Sequence, residues 1–236
     1  MKQSIDSMDN LMKKKIHVYY LISAIYMIVS IVLGLILKDD LVLFLAWNML
    51  LATIVFFLSE VLVFLYEKRA HLWMLMVFFA LWLLFFPNTI YMLTDFIHIQ
   101  NYTFFWRYAD LYNYSLTEWI VFTHILIGAL YAAKLGFSAI KKIEPIIKKH
   151  TVGYYYLILV TIFFLSSFGI FIGRFLRFNT WNIFELITNI GMVFSHGTFL
   201  VGFVSIFFVI HWFVYFLFSN QEQKIYNIDN KPNSEE

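Results

Sequence analysis

The chain has 236 residues, 61% of them apolar and only 14% charged, with a formal net charge of +2 and no cysteine. Soluble domains run at about 45–50% apolar and about 25% charged, so a water-soluble fold could not hide this much apolar surface. The weak charge excludes nucleic acid as a partner, and the missing cysteines exclude disulfides, thiolate nucleophiles, cysteine-ligated zinc, iron–sulfur clusters and thioether-linked haem.

A helix needs about 20 apolar residues to cross a hydrocarbon core of about 30 Å, and such runs recur along the chain. They predict an all-α fold class, a polytopic bundle of six transmembrane helices over 16–219, with spans near 16–37, 41–65, 71–93, 118–140, 152–173 and 196–219. A basic tail, 1–15, precedes them, and a polar tail, 220–236, is expected to be disordered. The first run follows Lys13, Lys14 and Lys15 like a secretory signal. It is longer than a signal's apolar core and lacks a small-residue cleavage site, so an uncleaved first span is expected.

Short polar turns separate these runs: Lys38-Asp39-Asp40, Glu67-Lys68-Arg69, a polar-aromatic loop over 94–117, a basic loop over 141–150 and a segment over 174–195. Twelve Lys and Arg residues fall on one side of this arrangement, and Lys38, Arg107, Arg174 and Arg177 on the other. Cytoplasmic loops carry the excess, which predicts a cell-membrane protein with both termini cytoplasmic. No internal repeat is visible.

Within span two, Trp47-Asn48 lies below the outer boundary, where an Asn serves as glue between helices or as part of a polar site. Glu60, nearer the cytoplasmic end, matches Lys134 of span four in depth, and the two are candidates for an intramembrane ion pair or an ion pathway. Span three ends in Phe85-Phe86-Pro87-Asn88, then Tyr91, Thr94-Asp95 and His98. Proline removes a helical hydrogen bond and disfavours helix at the residue before it, so a kink or end is expected at Phe86. If helix resumes, Asp95 and His98 share a face, where a carboxylate can orient an imidazole for acid–base work. Otherwise Asp95 caps a helix end and His98 sits at the headgroups.

Glu118 and His124 of span four and His196 of span six are, with His98, weak candidates for a metal site. No HExxH or similar spacing supports one, and no metal or other cofactor is expected. Phosphate loops, dinucleotide fingerprints and GxSxG elbows are also missing. Span five ends in Gly169, Gly173, Arg174, Arg177, Asn179, Thr180 and Trp181. Glycines four apart allow close helix approach, and paired guanidinium forks suit phosphate or carboxylate. The alternative is that these arginines snorkel and pair with Asp95, Asp110 or Glu185.

In Trp47-Asn48-Met49-Leu50-Leu51-Ala52, in Phe86-Pro87-Asn88 with Tyr91, Thr94-Asp95 and His98, and in Gly173 through Trp181, the chain resembles the family of bacterial multi-pass membrane proteins known as domain of unknown function 1361. The resemblance runs from about residue 40 to about residue 215. It departs at Thr89-Ile90, where the family often has a small residue and a second proline, and at Thr180, where Ser is common. It implies a helical membrane protein with a shared polar site, and no activity.

The leading expectation is an outer-face site of Asn48, Asn88, Asp95, His98, Arg174, Arg177 and Asn179 that engages an anionic lipid or cell-envelope substrate amid membrane lipid. The alternatives are a transporter, or accessory subunit of a membrane transport complex, with Glu60 and Lys134 in its coupling route, and a membrane-embedded hydrolase or transferase with Asp95 and His98 as catalytic groups.

Overall fold

A computed structural model describes residues 2–106, 111–151, 153–176, 191 and 197–229 of the chain. Its helices are α1 (Lys2–Leu37), α2 (Asp40–Glu67), α3 (Leu72–Phe85), the single turn α4 (Asn88–Tyr91), a 3-10 helix (Met92–Asn101), α5 (Leu116–His150), α6 (Tyr155–Phe171), a π-helical turn (Ile172–Leu176) and α7 (Gly197–Asp229). Two short strands, β1 (Phe105–Trp106) and β2 (Leu111–Tyr112), pair antiparallel. Six helical stretches are long and apolar enough to cross a membrane: Ile16–Leu37, Asp40–Glu67, Leu72–Asn101, Leu116–His150, Tyr155–Leu176 and Gly197–Ser219. Large apolar side chains such as Leu35, Ile36, Val209 and Phe213 stay exposed on them. Lipid, not water, is the solvent that accommodates such faces. The chain is an all-α, multi-pass membrane protein.

Three boundaries differ from the sequence expectation. The basic segment 141–150, expected as a loop, continues α5 to His150. Glu144 holds it, pairing with Lys141 and Lys148, one helical turn to either side, at 2.5 Å each. The basic tail is helical from Lys2, and α7 runs to Asp229, into the segment expected to be disordered. The third span breaks as Pro87 requires: α3 stops at Phe85, and the chain resumes as α4 and the tighter 3-10 helix.

The turn between α1 and α2 is set by chemistry at three residues. Lys38 takes a positive φ of 53°, and the Asp39 carboxylate caps α2 by accepting from the backbone N–H groups of Leu41 and Val42 at 3.0 and 3.3 Å. A Cβ on Gly34 would stand 2.5 Å from Leu43 Cγ, so only glycine lets the two helices close this tightly.

The chain divides into two compact units. The first holds α1, α2 as far as Leu58, and residues Asn88–Gly136. Small residues Ala129, Ala132 and Ala133 are buried on its stretch of α5, alongside Leu45, Met49, Ala52 and Phe56 of α2. The Tyr131 hydroxyl donates to the Tyr19 carbonyl at 2.6 Å, tying α5 to α1. The second unit holds Ser59–Pro87 and Phe137–Glu236. There Phe163 meets Trp212 edge-on at 5.1 Å, and Phe171, Leu200 and Val204 form a buried cluster joining α6 to α7. Gly169 admits Pro87, whose Cγ would lie 2.7 Å from a Cβ at that position, so the break after α3 docks on α6.

Candidate functional site

Two residues singled out from separate motifs meet in the first unit. Asn48 on α2 donates through Nδ2 to Asp95 Oδ2 at 2.8 Å. Asp95 has no exposed surface and Asn48 is 3% exposed. The 3-10 helix places Asp95: with three residues per turn, Met92, Asp95 and His98 fall on one face. Met92 and Asp95 are buried, and His98, next on that row, is half-buried. Upstream, Thr94 donates its hydroxyl to the Tyr91 carbonyl at 2.6 Å, which stiffens the entry into the turn.

A second polar cluster stands beside the first, built from α1 and α5. Tyr26 donates its hydroxyl to the His124 carbonyl at 3.1 Å, and the two rings stack at 4.4 Å with planes 2° apart. His124 Nε2 lies 2.6 Å from Ser30 Oγ, which itself reaches the Tyr26 carbonyl at 2.9 Å. Gly128, one turn from His124, makes room for the phenol: a Cβ there would sit 2.0 Å from Tyr26 Oη and 2.8 Å from Met92 Cε. The Tyr26 hydroxyl is thereby held next to Met92, the residue one turn before Asp95.

His124 also lines an open cavity of about 310 Å³ with Leu33, Trp119, Ile120, Thr123 and Ile127. Behind that cavity the imidazole and the serine hydroxyl bond each other, the serine and the phenol each bond a backbone carbonyl, and the carboxylate and amide form a separate pair, all inside candidate spans. Polar groups in hydrocarbon need such partners, and chains of acid, imidazole and hydroxyl are what proton relays are made of. Tyr26 and Ser30 were not legible as site residues, because uncharged hydroxyls in an apolar run match no motif. The available signal was spacing: Tyr26 and Ser30 are four apart on one helix, as are His124 and Gly128 on the other.

The remaining candidates have separate settings. Asn88 is half-buried in the turn after Pro87. Glu118 clasps the hairpin, accepting from the Thr103 N–H at 3.2 Å and from Asn113 Nδ2 at 2.8 Å. Among the described residues no three His, Asp or Glu side chains gather as a metal ion would require, and His98, His124 and Glu118 do not converge. Glu60 forms an ion pair with Lys142 at 3.1 Å in the second unit, while Lys134 belongs to the first. Arg174 is half-buried on the π-helical turn that ends the fifth span. Arg177, Asn179 and His196 lie outside the described residues.

The second unit holds a histidine that the sequence reading passed over. His211 on α7 is 2% exposed; its Nδ1 lies 2.7 Å from the Phe207 carbonyl and its Nε2 2.8 Å from Ser166 Oγ. A carbonyl only accepts, so Nδ1 carries the hydrogen, and Nε2 accepts from the serine. That arrangement binds α7 to α6 with a satisfied neutral ring.

The family model described as protein of unknown function (DUF1361) matches residues 47–219. No curated protein and no solved structure matches the chain.

Proposed function

The chain belongs to the DUF1361 family, and from that premise we propose that it is a transport protein, or a subunit of a transport complex, in which proton binding at Asp95 is the coupling step. One observation carries the reading: a carboxylate without exposed surface sits on the discontinuous third span, hydrogen-bonded to Asn48. Broken spans are where membrane transporters build their ion and substrate sites, and ionisable groups at such depth mark proton and ion pathways. A proton is also the one ligand that needs no cavity at Asp95. The His124–Ser30 pair, at the cavity that His124 lines, is the candidate entry for that proton.

The excess of Lys and Arg on one side supports an orientation in the cell membrane with both termini cytoplasmic. Asp95 and His98 then belong to the extracytoplasmic half. A proton gradient imposed on proteoliposomes tests the transport reading. Wild-type protein dissipates it faster than empty vesicles, whereas Asp95→Asn, nearly isosteric but unable to take a proton, falls to the background rate. Equal dissipation by the two proteins would contradict the reading.

A second reading rests on Arg174. Its guanidinium rides on a π-helical turn, a geometry frequent at functional sites, directly after α6. With Arg177 and Asn179 it would engage an anionic lipid or envelope-derived substrate on the outer face. Arg174→Lys separates this from snorkelling, since an ammonium keeps the charge and loses the planar fork. A hydrolase or transferase acting through Asp95 and His98 is less well supported, because a substrate must reach Asp95 and its carboxylate is closed off.

A further inference from the structure

We propose that the groove between α2, α3 and α5 in the second unit is a binding site for an anionic glycerophospholipid, with one acyl chain in the groove and the phosphate held by Lys68, Arg69 and Lys149. The groove encloses about 310 Å³ and is walled by Leu75, Met76 and Phe79 of α3 and by Ile143 and Ile147 of α5. Pro145 lies between those two isoleucines; it has no N–H for the Lys141 carbonyl, so the α5 hydrogen-bond ladder is interrupted along the groove wall.

The polar end of the groove is formed by Tyr66 and His150, whose Oη and Nε2 lie 3.1 Å apart. That contact brings the turn after α2 and the end of α5 to one place, and the basic residues of both come with them. Their charges are not equally engaged. Lys141 and Lys148 pair with Glu144, and Lys142 with Glu60. Lys68, Arg69 and Lys149 have no carboxylate within ion-pair distance among the described residues. Lys149 Nζ sits 5.7 Å from the Tyr66 ring and Lys68 Nζ 5.7 Å from the Phe64 ring, both side chains exposed. Arg69 is fixed at the tip of its turn by a positive φ of 52°.

Exposed cations at the two chain turns beside an apolar slot, Lys149 of them against the lining residue Tyr66, are complementary to a phosphate on an acyl chain. A free phosphate has no use for the apolar walls, and a zwitterionic lipid brings a second cation into a basic setting. The level also fits: Trp73 at 63%, Tyr154 at 66% and Tyr156 at 63% exposure follow the two turns, and such amphipathic rings concentrate at the headgroup boundary. Basic pockets between spans are where anionic headgroups bind, at about 1 kcal/mol, or about fivefold, per nearby cation.

The test is native mass spectrometry of the purified full chain in detergent, titrated with phosphatidylglycerol or phosphatidylcholine carrying the same acyl chains. Phosphatidylglycerol is expected to bind at least about fivefold better. In Lys68→Gln/Arg69→Gln/Lys149→Gln, which changes exposed residues only, the preference should fall to near parity. Met76→Trp, which fills the slot from an exposed position, should weaken both lipids. Equal binding of the two lipids by wild type, or a preference that survives the triple substitution, or no effect of Met76→Trp, would overturn the proposal.

Discussion

Asn48 on α2 donates a hydrogen bond to Asp95 on the 3-10 helix, 47 residues along the chain, at 2.8 Å and with both side chains buried. Hydrogen bonds to charged groups contribute about 1.5–3 kcal/mol, and a buried acceptor left without its donor costs about as much again to leave unsolvated. Asn48→Ala should therefore lower unfolding stability by about 1–3 kcal/mol in detergent. The same change made in an Asp95→Asn background should cost clearly less. Additive losses in the double-mutant cycle would mean the two side chains do not interact.

Gly128 is the packing condition for the second cluster. An added methyl would meet Tyr26 Oη at 2.0 Å and its Cζ at 2.5 Å, and the ring is pinned by its stack on His124. Gly128→Ala should destabilise by about 1–3 kcal/mol, the usual scale of overpacking. Shortening the obstructing ring in Gly128→Ala/Tyr26→Leu should recover part of that loss. A silent Gly128→Ala, read by thermal unfolding, would show that Tyr26 does not lie against α5.

Tyr102, beyond the third span, donates its hydroxyl to Asp39 Oδ2 at 2.5 Å. Burial, reinforced by the Asp39 carboxylate, pushes the phenol pKa well above its ordinary value. The sign follows from linkage: a folded-state pKa above the unfolded one of about 10 stabilises the fold below that pH, and the contribution is lost as pH rises towards the folded value. Wild type should thus lose stability more steeply than Tyr102→Phe above about pH 10, while the gap between them stays constant below it. Parallel curves throughout would remove the contact.

Orientation is testable because the native chain has no cysteine. A cysteine replacing Thr103 should react with an impermeant thiol reagent in intact cells, and one replacing Lys148 should not. The reverse pattern would invert the topology and carry Asp95 to the cytoplasmic half.

The six spans and the break after Phe85 were legible in the sequence, since apolar run length and the chemistry of Pro87 are local properties. Asn48 and Asp95 were also visible, each as a polar residue out of place, but their pairing is a tertiary fact that spacing cannot supply. The end of α5 was misread because four lysines and Pro145 look like a loop. The compensating feature, Glu144 a turn from both Lys141 and Lys148, was present in the sequence. Tyr26, Ser30 and His211 stayed hidden, as neutral side chains in apolar helices whose roles depend on the helix packed against them.

Proton-coupled transport requires that Asp95 bind and release a proton inside the membrane. Infrared difference spectroscopy of the purified, lipid-reconstituted protein, taken across a pH titration in H2O and D2O, reads this directly from the carboxylic-acid C=O stretch. Wild type should show a titrating band that shifts on deuteration and is missing in Asp95→Asn, and its position should move in Asn48→Ala as the hydrogen bond is lost. A difference spectrum that Asp95→Asn leaves unchanged would contradict the account.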